Sequence, residues 1–168
     1  MNDFELLLNA LASSGVSFVI IGGVAATVHG SARLTSDLDI VYERSRENMA
    51  RLVAALSPLN PYLRGAPAGL PFKFDVETLR GGLNFTLTTI AGPLDLLGEL
   101  SGVGDYRAVD EVSEDVSLFG SVYRCINLDS LIVSKRAAGR TKDFEAVAEL
   151  EMIRDEARGI SEDSESET

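Results

Sequence analysis

The sequence contains very few cysteine and histidine residues. It contains one cysteine, Cys125, and one histidine, His29, so no disulfide can form within the chain. Since only one histidine is available to activate a cysteine nucleophile, we expect Cys125 to fill the core from a predicted strand. The sequence shows no signal peptide and no long apolar run. We therefore expect a cytoplasmic protein that makes no membrane contact.

Positive charge is also scarce. The chain has 15 Lys and Arg residues against 26 Asp and Glu residues, a formal net charge of −11. Broad binding to nucleic acid depends on neutralising many phosphates, so we expect no such surface. A local basic group is a candidate to face one acceptor, although an ordinary solvated helix face explains it equally well. It comprises Arg124, Lys135, Arg136, Arg140 and Lys142.

Length and composition predict one domain. The 168 residues are 45% hydrophobic and 24% charged, as in an average soluble domain. We expect this domain to cover residues 1–154. Residues 155–168 are acidic, rich in serine and nearly free of apolar groups, which predicts a disordered tail.

Apolar spacing and turn residues predict alternating helices and strands. The Pro- and Gly-rich residues 57–71 are expected to form a variable loop that is a candidate for substrate specificity. A hairpin over residues 116–126 is expected to carry the chain out of the sheet. Helices are predicted over residues 3–11, 24–28, 46–56, 75–80, 128–138 and 141–153, and further strands over residues 16–21, 37–42, 84–90 and 94–97.

Residues 18–41 are the most informative segment. An apolar strand leads into Gly22 and Gly23, a short helix follows, and a second strand begins with Asp37 and Asp39. Side chains alternate along a strand, so both carboxylates lie on one face. Their repulsion is relieved by a divalent cation, by a proton on one of them or by a cationic side chain. The alternative is the polar face of an exposed edge strand.

The two glycines give this segment a second kind of candidate binding site. They permit a sharp turn and expose the first N–H groups of the following helix, which is a natural phosphate site. A metal beside a phosphate implies a nucleotide. His29 ends that helix, where an imidazole more often bonds the last carbonyls or packs than contacts substrate.

In the order of strand, Gly-Gly turn, helix and Asp-x-Asp strand, the segment resembles the nucleotidyltransferase superfamily, which has the DNA polymerase β-like fold. Four features resemble its AbiEii/MNT-like branch of bacterial toxin-type proteins. They are Gly-Gly-x-Ala, His-Gly, Arg-x-Thr-x-Asp-x-Asp, and a late lysine followed by Arg-x-Lys-Asp. The resemblance implies an α/β (α+β) fold with a mixed central sheet, flanking helices and C-terminal helices.

The resemblance also implies the chemistry and its residues. Asp37, Asp39 and a third carboxylate on a later strand, matched by Asp95, would hold Mg²⁺ or Mn²⁺. Gly22 and Gly23 would cradle phosphate, Lys135 would reach the triphosphate, and Asp143 would support the lysine or the metal site. Asp143 is equally suited to cap the last helix.

Two further residues of the motif have open roles. Arg33 is a candidate for phosphate binding, for orienting Asp39, or for an ordinary surface ion pair. Thr35 is a candidate phosphate contact or a packing residue. At Gly23 many superfamily members have serine, so this chain lacks a hydroxyl that binds phosphate.

The implied activity is transfer of a nucleoside monophosphate from an NTP to a tRNA 3′ end, a protein hydroxyl or a small molecule. The branch further implies the toxin of a toxin–antitoxin or phage-defence system, with a cognate antitoxin as partner. The alternative is a non-catalytic module of the same fold that senses nucleotides or binds a protein. Three gathered carboxylates favour the enzyme.

Overall fold

The structure, a computed structural model, describes residues 2–166 and the side chains of residues 2–159. The described residues form seven α-helices, one short 3-10 helix (Ser57–Leu59) and nine strands. The helices are α1 (Phe4–Ser13), α2 (Gly22–Val28), α3 (Arg46–Leu56), α4 (Val76–Gly81), α5 (Tyr106–Glu111), α6 (Leu128–Ala138) and α7 (Thr141–Ser166). The strands are β1 (Phe18–Ile21), β2 (Leu38–Tyr42), β3 (Tyr62–Leu63), β4 (Phe85–Thr89), β5 (Gly92–Leu97), β6 (Glu99–Leu100), β7 (Gly104–Asp105), β8 (Ser113–Leu118) and β9 (Ser121–Ile126).

A mixed seven-stranded sheet organises the molecule, in the order β3-β4-β5-β2-β1-β9-β8. At its centre β2 pairs antiparallel with β1 and parallel with β5. The four residues of β1 are all buried, as expected for a central strand covered on both faces. Helices flank this sheet, as predicted.

Local sequence signals explain most helix boundaries. The side chains of Asp3, Ser45 and Asp75 each accept a hydrogen bond from the first turn of the helix that follows, which makes them N-caps. Gly139 ends α6 in the left-handed conformation, with φ of 65°, a conformation that glycine adopts without strain. No described helix is long and apolar enough to cross a membrane.

The structure corrects two predictions about strands. The hairpin does not leave the sheet, because β9 pairs parallel with β1 and β8 extends the sheet beyond it. The segment predicted as a loop over residues 57–71 contains β3, which pairs with β4 at the sheet edge. Two residues of strand carry too little hydrophobic pattern to be recognised.

The last helix is longer than its apolar pattern predicts. It continues past Ile153 to Ser166, while the side chains after residue 159 and residues 167–168 lie outside the described part of the chain. The division into a domain over residues 1–154 and an acidic tail over residues 155–168 stays a prediction.

Candidate active site

Three carboxylates meet where β2 begins. Asp37 directly precedes β2, Asp39 lies on it, and Asp95 is the register partner of Asp39 on the parallel strand β5. One carboxylate oxygen from each residue lies within 4.8 Å of the other two. The sheet register therefore brings together residues that are 56 positions apart in sequence (95 − 39).

The environment of this cluster disfavours the charged form of Asp39. Burial, followed by the charges of Asp95 and Asp37, raises its pKa from 3.8 to about 7, and the charge of Lys135 opposes that rise. The buried Oδ1 of Asp39 has no hydrogen-bond partner among the described residues. A buried carboxylate oxygen without a donor is costly, and a cation would remove that cost.

The backbone of Gly22 packs closely against the side chain of Asp39. Its φ is 65°, and a Cβ added there would overlap Oδ2 of Asp39 and come within 2.9 Å of the Asp39 Cβ. Glycine is required twice here, for the left-handed backbone and for the close approach. The turn and the carboxylates therefore form one unit.

Gly23 has a different neighbour, Thr35. A Cβ at position 23 would overlap Oγ1 of Thr35 and come within 2.8 Å of its Cβ. The Thr35 hydroxyl donates to the carbonyl oxygen of Asp37 at 3.2 Å. Thr35 thus fills the space that a serine at position 23 would need, which explains the departure from the common Gly-Ser turn.

Lys135 approaches the carboxylates from α6. Burial lowers the pKa of its ammonium, while the charges of Asp143 and Asp39 oppose that shift. Asp143 is buried in the first turn of α7 and pairs with Arg140, whose Nε lies 2.8 Å from its Oδ2. The described part of α7 thus provides a carboxylate that acts on Lys135.

A cleft of about 220 Å³ lies beside the glycine turn. Three cationic side chains, those of Arg33, Lys135 and Lys142, line it, so it suits an anionic ligand. Gly23, Thr35, Asp143 and Glu149 are also among its lining residues.

In the described part of the chain, Arg33 makes no ion pair with the aspartate cluster, but it pairs with glutamates of α7. Its guanidinium pairs with Glu145 at 3.1 Å and lies 4.0 Å from Glu149. Glu149 also accepts hydrogen bonds from the Ser31 hydroxyl and from the Ala32 N–H. These contacts with α7 hold the loop that carries the Arg-x-Thr motif. The role predicted for Arg33 in orienting Asp39 has no contact to support it.

Arg64 is not among the site residues predicted from the sequence. This residue follows β3, and its guanidinium lies 2.7 Å from Oδ1 of Asp95 and 3.4 Å from Oδ2 of Asp37. An arginine within a Pro- and Gly-rich segment has no periodicity that ties it to a distant site. The only available signal was the negative charge of the three predicted carboxylates, which favours a cationic side chain close to them.

The remaining candidates lie apart from the carboxylates. His29 places Nε2 2.8 Å from the carbonyl oxygen of Ile126, a structural contact with the end of β9. Cys125 is fully buried, and burial raises the pKa of its thiol to about 12. The cysteine is therefore a core residue, as predicted.

The carboxylates fit a divalent ion. They supply hard oxygen ligands of the kind that Mg²⁺ and Mn²⁺ prefer, and the unpartnered Oδ1 of Asp39 faces no competing donor among the described residues. Asp37, Asp39 and Asp95 are the residues that would hold the ion.

Metal affinity is expected to depend on pH through Asp39. Below its pKa of about 7 the ion must displace a proton, so affinity should fall roughly tenfold per pH unit on acidification and level off at higher pH. Manganese titrations monitored by electron paramagnetic resonance (EPR) between about pH 6 and pH 8 measure this slope. A constant affinity over that range would contradict the shifted pKa.

Solved structures share this architecture. A candidate nucleotidyltransferase from Thermotoga maritima aligns with a TM-score of 0.56 and 14% identity over 86% of this chain and 88% of its own. The antibiotic-resistance factor ANT(2″)-Ia aligns with a TM-score of 0.53 and 16% identity, over 97% of this chain and 93% of its own. Its complex with adenylyl-2″-tobramycin aligns with a TM-score of 0.55 and 15% identity, over 94% and 95%.

The chain has the nucleotidyltransferase fold. No protein-family model and no curated protein sequence matches it. In this nucleotidyltransferase fold, the β2–β5 register and the turn between β1 and α2 place the carboxylates beside the cationic cleft.

Proposed function

We propose that this chain transfers a nucleoside monophosphate from an NTP to a hydroxyl acceptor, with Mg²⁺ or Mn²⁺. The observation that carries the proposal is the convergence of Asp37, Asp39 and Asp95 under the Gly22 turn. The acceptor oxygen forms a bond to the α-phosphorus. The bond between the α-phosphorus and the oxygen that bridges it to the β-phosphorus breaks. Pyrophosphate leaves, and the hydroxyl proton passes to solvent.

The residues divide this work by position. The backbone at Gly22 and Gly23 receives phosphate, and Lys135, which lines the same cleft as Gly23, neutralises phosphate charge. The charge of Asp143 favours the charged form of Lys135 and opposes the effect of its burial. A divalent ion held by Asp37, Asp39 and Asp95 would supply charge stabilisation for the phosphoryl group. Thr35 holds the Asp37 backbone, so its part is to position a ligand.

The acceptor is the open part of the proposal. The AbiEii/MNT-like motifs favour a tRNA 3′ end or a protein hydroxyl, and with them a toxin that has a cognate antitoxin. The adenylylated tobramycin in ANT(2″)-Ia favours a small cationic acceptor. The charge of −11 also favours a cation. Most of the local basic group is neutralised, because Arg124, Arg136 and Arg140 each pair with acidic residues.

A transfer assay tests the activity and separates the acceptors. Each α-labelled NTP is incubated with Mg²⁺ and the protein together with bulk tRNA, a cell protein fraction or tobramycin. Label on one acceptor, lost in Asp37→Ala/Asp39→Ala, supports the proposal and identifies the acceptor class. Absence of transfer from all four NTPs to all three acceptors would favour the non-catalytic module.

Replacing Lys135 by methionine is expected to weaken NTP binding by roughly 10- to 100-fold, the range for one hydrogen bond to a charged group. The methionine keeps the length of the buried stem and removes the charge. Calorimetric titration with Mg²⁺ measures the change. Lys73→Met, at an exposed site beside Asp75, is the matched control. Equal affinities in the two variants would remove Lys135 from the phosphate site.

A further inference from the structure

Arg64 touches two of the three predicted metal ligands. Its Nη2 donates to Oδ1 of Asp95 at 2.7 Å, and its Nη1 lies 3.4 Å from Oδ2 of Asp37. Asp39 has no contact with this guanidinium in the described structure, and its Oδ1 is the oxygen without a partner. One side of the carboxylate cluster is therefore already bound to a cation.

Backbone contacts fix Arg64 in this position. Its N–H donates to the carbonyl oxygen of Thr86 at 3.0 Å, and Thr86 is the register partner of Asp95. Nη2 also donates to the carbonyl oxygen of Leu87 at 2.6 Å. The side chain is 30% exposed, so water screens its charge only in part. Hydrogen bonds to the sheet edge thus hold both the backbone of Arg64 and its guanidinium.

A guanidinium keeps its charge at any physiological pH, so it is a permanent competitor for carboxylate oxygens. A divalent ion that binds all three carboxylates has to share Asp37 and Asp95 with this charge. The repulsion between the two cations, and the oxygens that Arg64 occupies, both oppose metal binding.

We propose that Arg64 is a built-in counter-cation that competes with a divalent ion for Asp37 and Asp95 and so weakens metal binding in the free protein. The inference rests on the proposed function, because it assumes that the carboxylates hold an ion. Tight metal binding then requires the phosphates of a nucleotide, which add oxygen ligands. Arg64 thereby couples metal binding to nucleotide binding.

The test is an EPR titration with MnCl₂ alone, without nucleotide, so its readout is metal affinity and not activity. The variants are wild type, Arg64→Gln and Arg64→Lys, and binding is counted only where Asp37→Ala/Asp39→Ala abolishes it. Arg64→Gln is expected to bind Mn²⁺ at least about tenfold more tightly than wild type. Arg64→Lys keeps a charge there and is expected to stay within about threefold of wild type.

Arg124→Gln is the matched control. Arg124 also bridges two aspartates, Asp110 and Asp115, and also donates to backbone carbonyls. Its loss should leave carboxylate-dependent Mn²⁺ affinity unchanged, which excludes a general effect of removing positive charge. If Arg64→Gln fails to fold, as judged by circular dichroism, Arg64→Met removes the same charge and provides the same comparison.

The outcomes separate the inference from the proposed function. Equal or weaker Mn²⁺ affinity in Arg64→Gln would overturn the inference alone, since the carboxylates would still bind an ion. Tighter binding in both Arg64→Gln and Arg124→Gln would also overturn it. The absence of carboxylate-dependent Mn²⁺ binding in wild type and Arg64→Gln alike would overturn both.

Discussion

Replacing Asp39 by asparagine is expected to abolish divalent-ion binding while making the metal-free protein more stable. Burial and the charges of Asp95 and Asp37 raise the pKa of Asp39 from 3.8 to about 7. A raised carboxyl pKa means that folding disfavours the charged form. Asparagine is neutral at every pH, so it removes that cost together with the metal-binding charge.

The stability gain has a defined pH window. The cost of ionising Asp39 is absent below its unfolded-state pKa of 3.8, grows as the pH rises from there to its folded-state pKa of about 7, and is constant above that. Urea unfolding in EDTA should therefore show equal stabilities near pH 4 and an Asp39→Asn protein about 2 to 4 kcal/mol more stable above pH 7.

Asp115→Asn is the control for this comparison. Asp115 is an aspartate on β8 that pairs with Arg124 and is 68% exposed. Its replacement should change neither Mn²⁺ affinity nor the pH dependence of stability by a measurable amount. An Asp39→Asn variant that is less stable than wild type at pH 8 would contradict the assigned burial cost, and one that still binds Mn²⁺ would contradict its role as a ligand.

Replacing Gly22 by alanine is expected to produce the second large effect, a loss of both stability and metal binding. Alanine at φ of 65° is strained, and its Cβ would overlap the Asp39 carboxylate. Relief requires the turn or the ligand to move. We expect about 2 to 4 kcal/mol of destabilisation from the strain and the overlap together, and Mn²⁺ affinity reduced by at least about tenfold.

Gly120→Ala separates these two contributions. Gly120 has φ of 77° with nothing within 4 Å of an added Cβ, so its replacement measures the backbone strain alone, about 1 to 2 kcal/mol. The excess loss in Gly22→Ala is the cost of displacing Asp39. Equal losses in the two variants, with unchanged Mn²⁺ affinity in Gly22→Ala, would contradict the close packing of turn and ligand.

The sequence predicted the centre of this fold well because its signals there are local. The β1 and β2 strands and the glycine turn between them each follow from residues a few positions apart. Asp95 was proposed through the family resemblance, and its position within an apolar strand agrees with that proposal because a charge there is costly unless it has a partner.

The parts that the sequence left out depend on pairing between distant segments. Nothing in residues 121–126 indicates a parallel partner in β1, and Tyr62–Leu63 forms a strand only because β4 offers it an edge. Arg64 was missed for the same reason, since its partners lie 27 and 31 residues away. The contacts of Arg33 with α7 equally required the path of the last helix.

The most direct test is calorimetric titration of each NTP into the protein with Mg²⁺, repeated with EDTA and with Asp37→Ala/Asp39→Ala. We expect saturable binding of at least one NTP that disappears with EDTA and in the variant, while circular dichroism shows the same fold. Wild-type protein that binds no NTP at concentrations on the order of millimolar, or binds it equally in EDTA, would contradict the claim that these carboxylates and the glycine turn form a metal–nucleotide site.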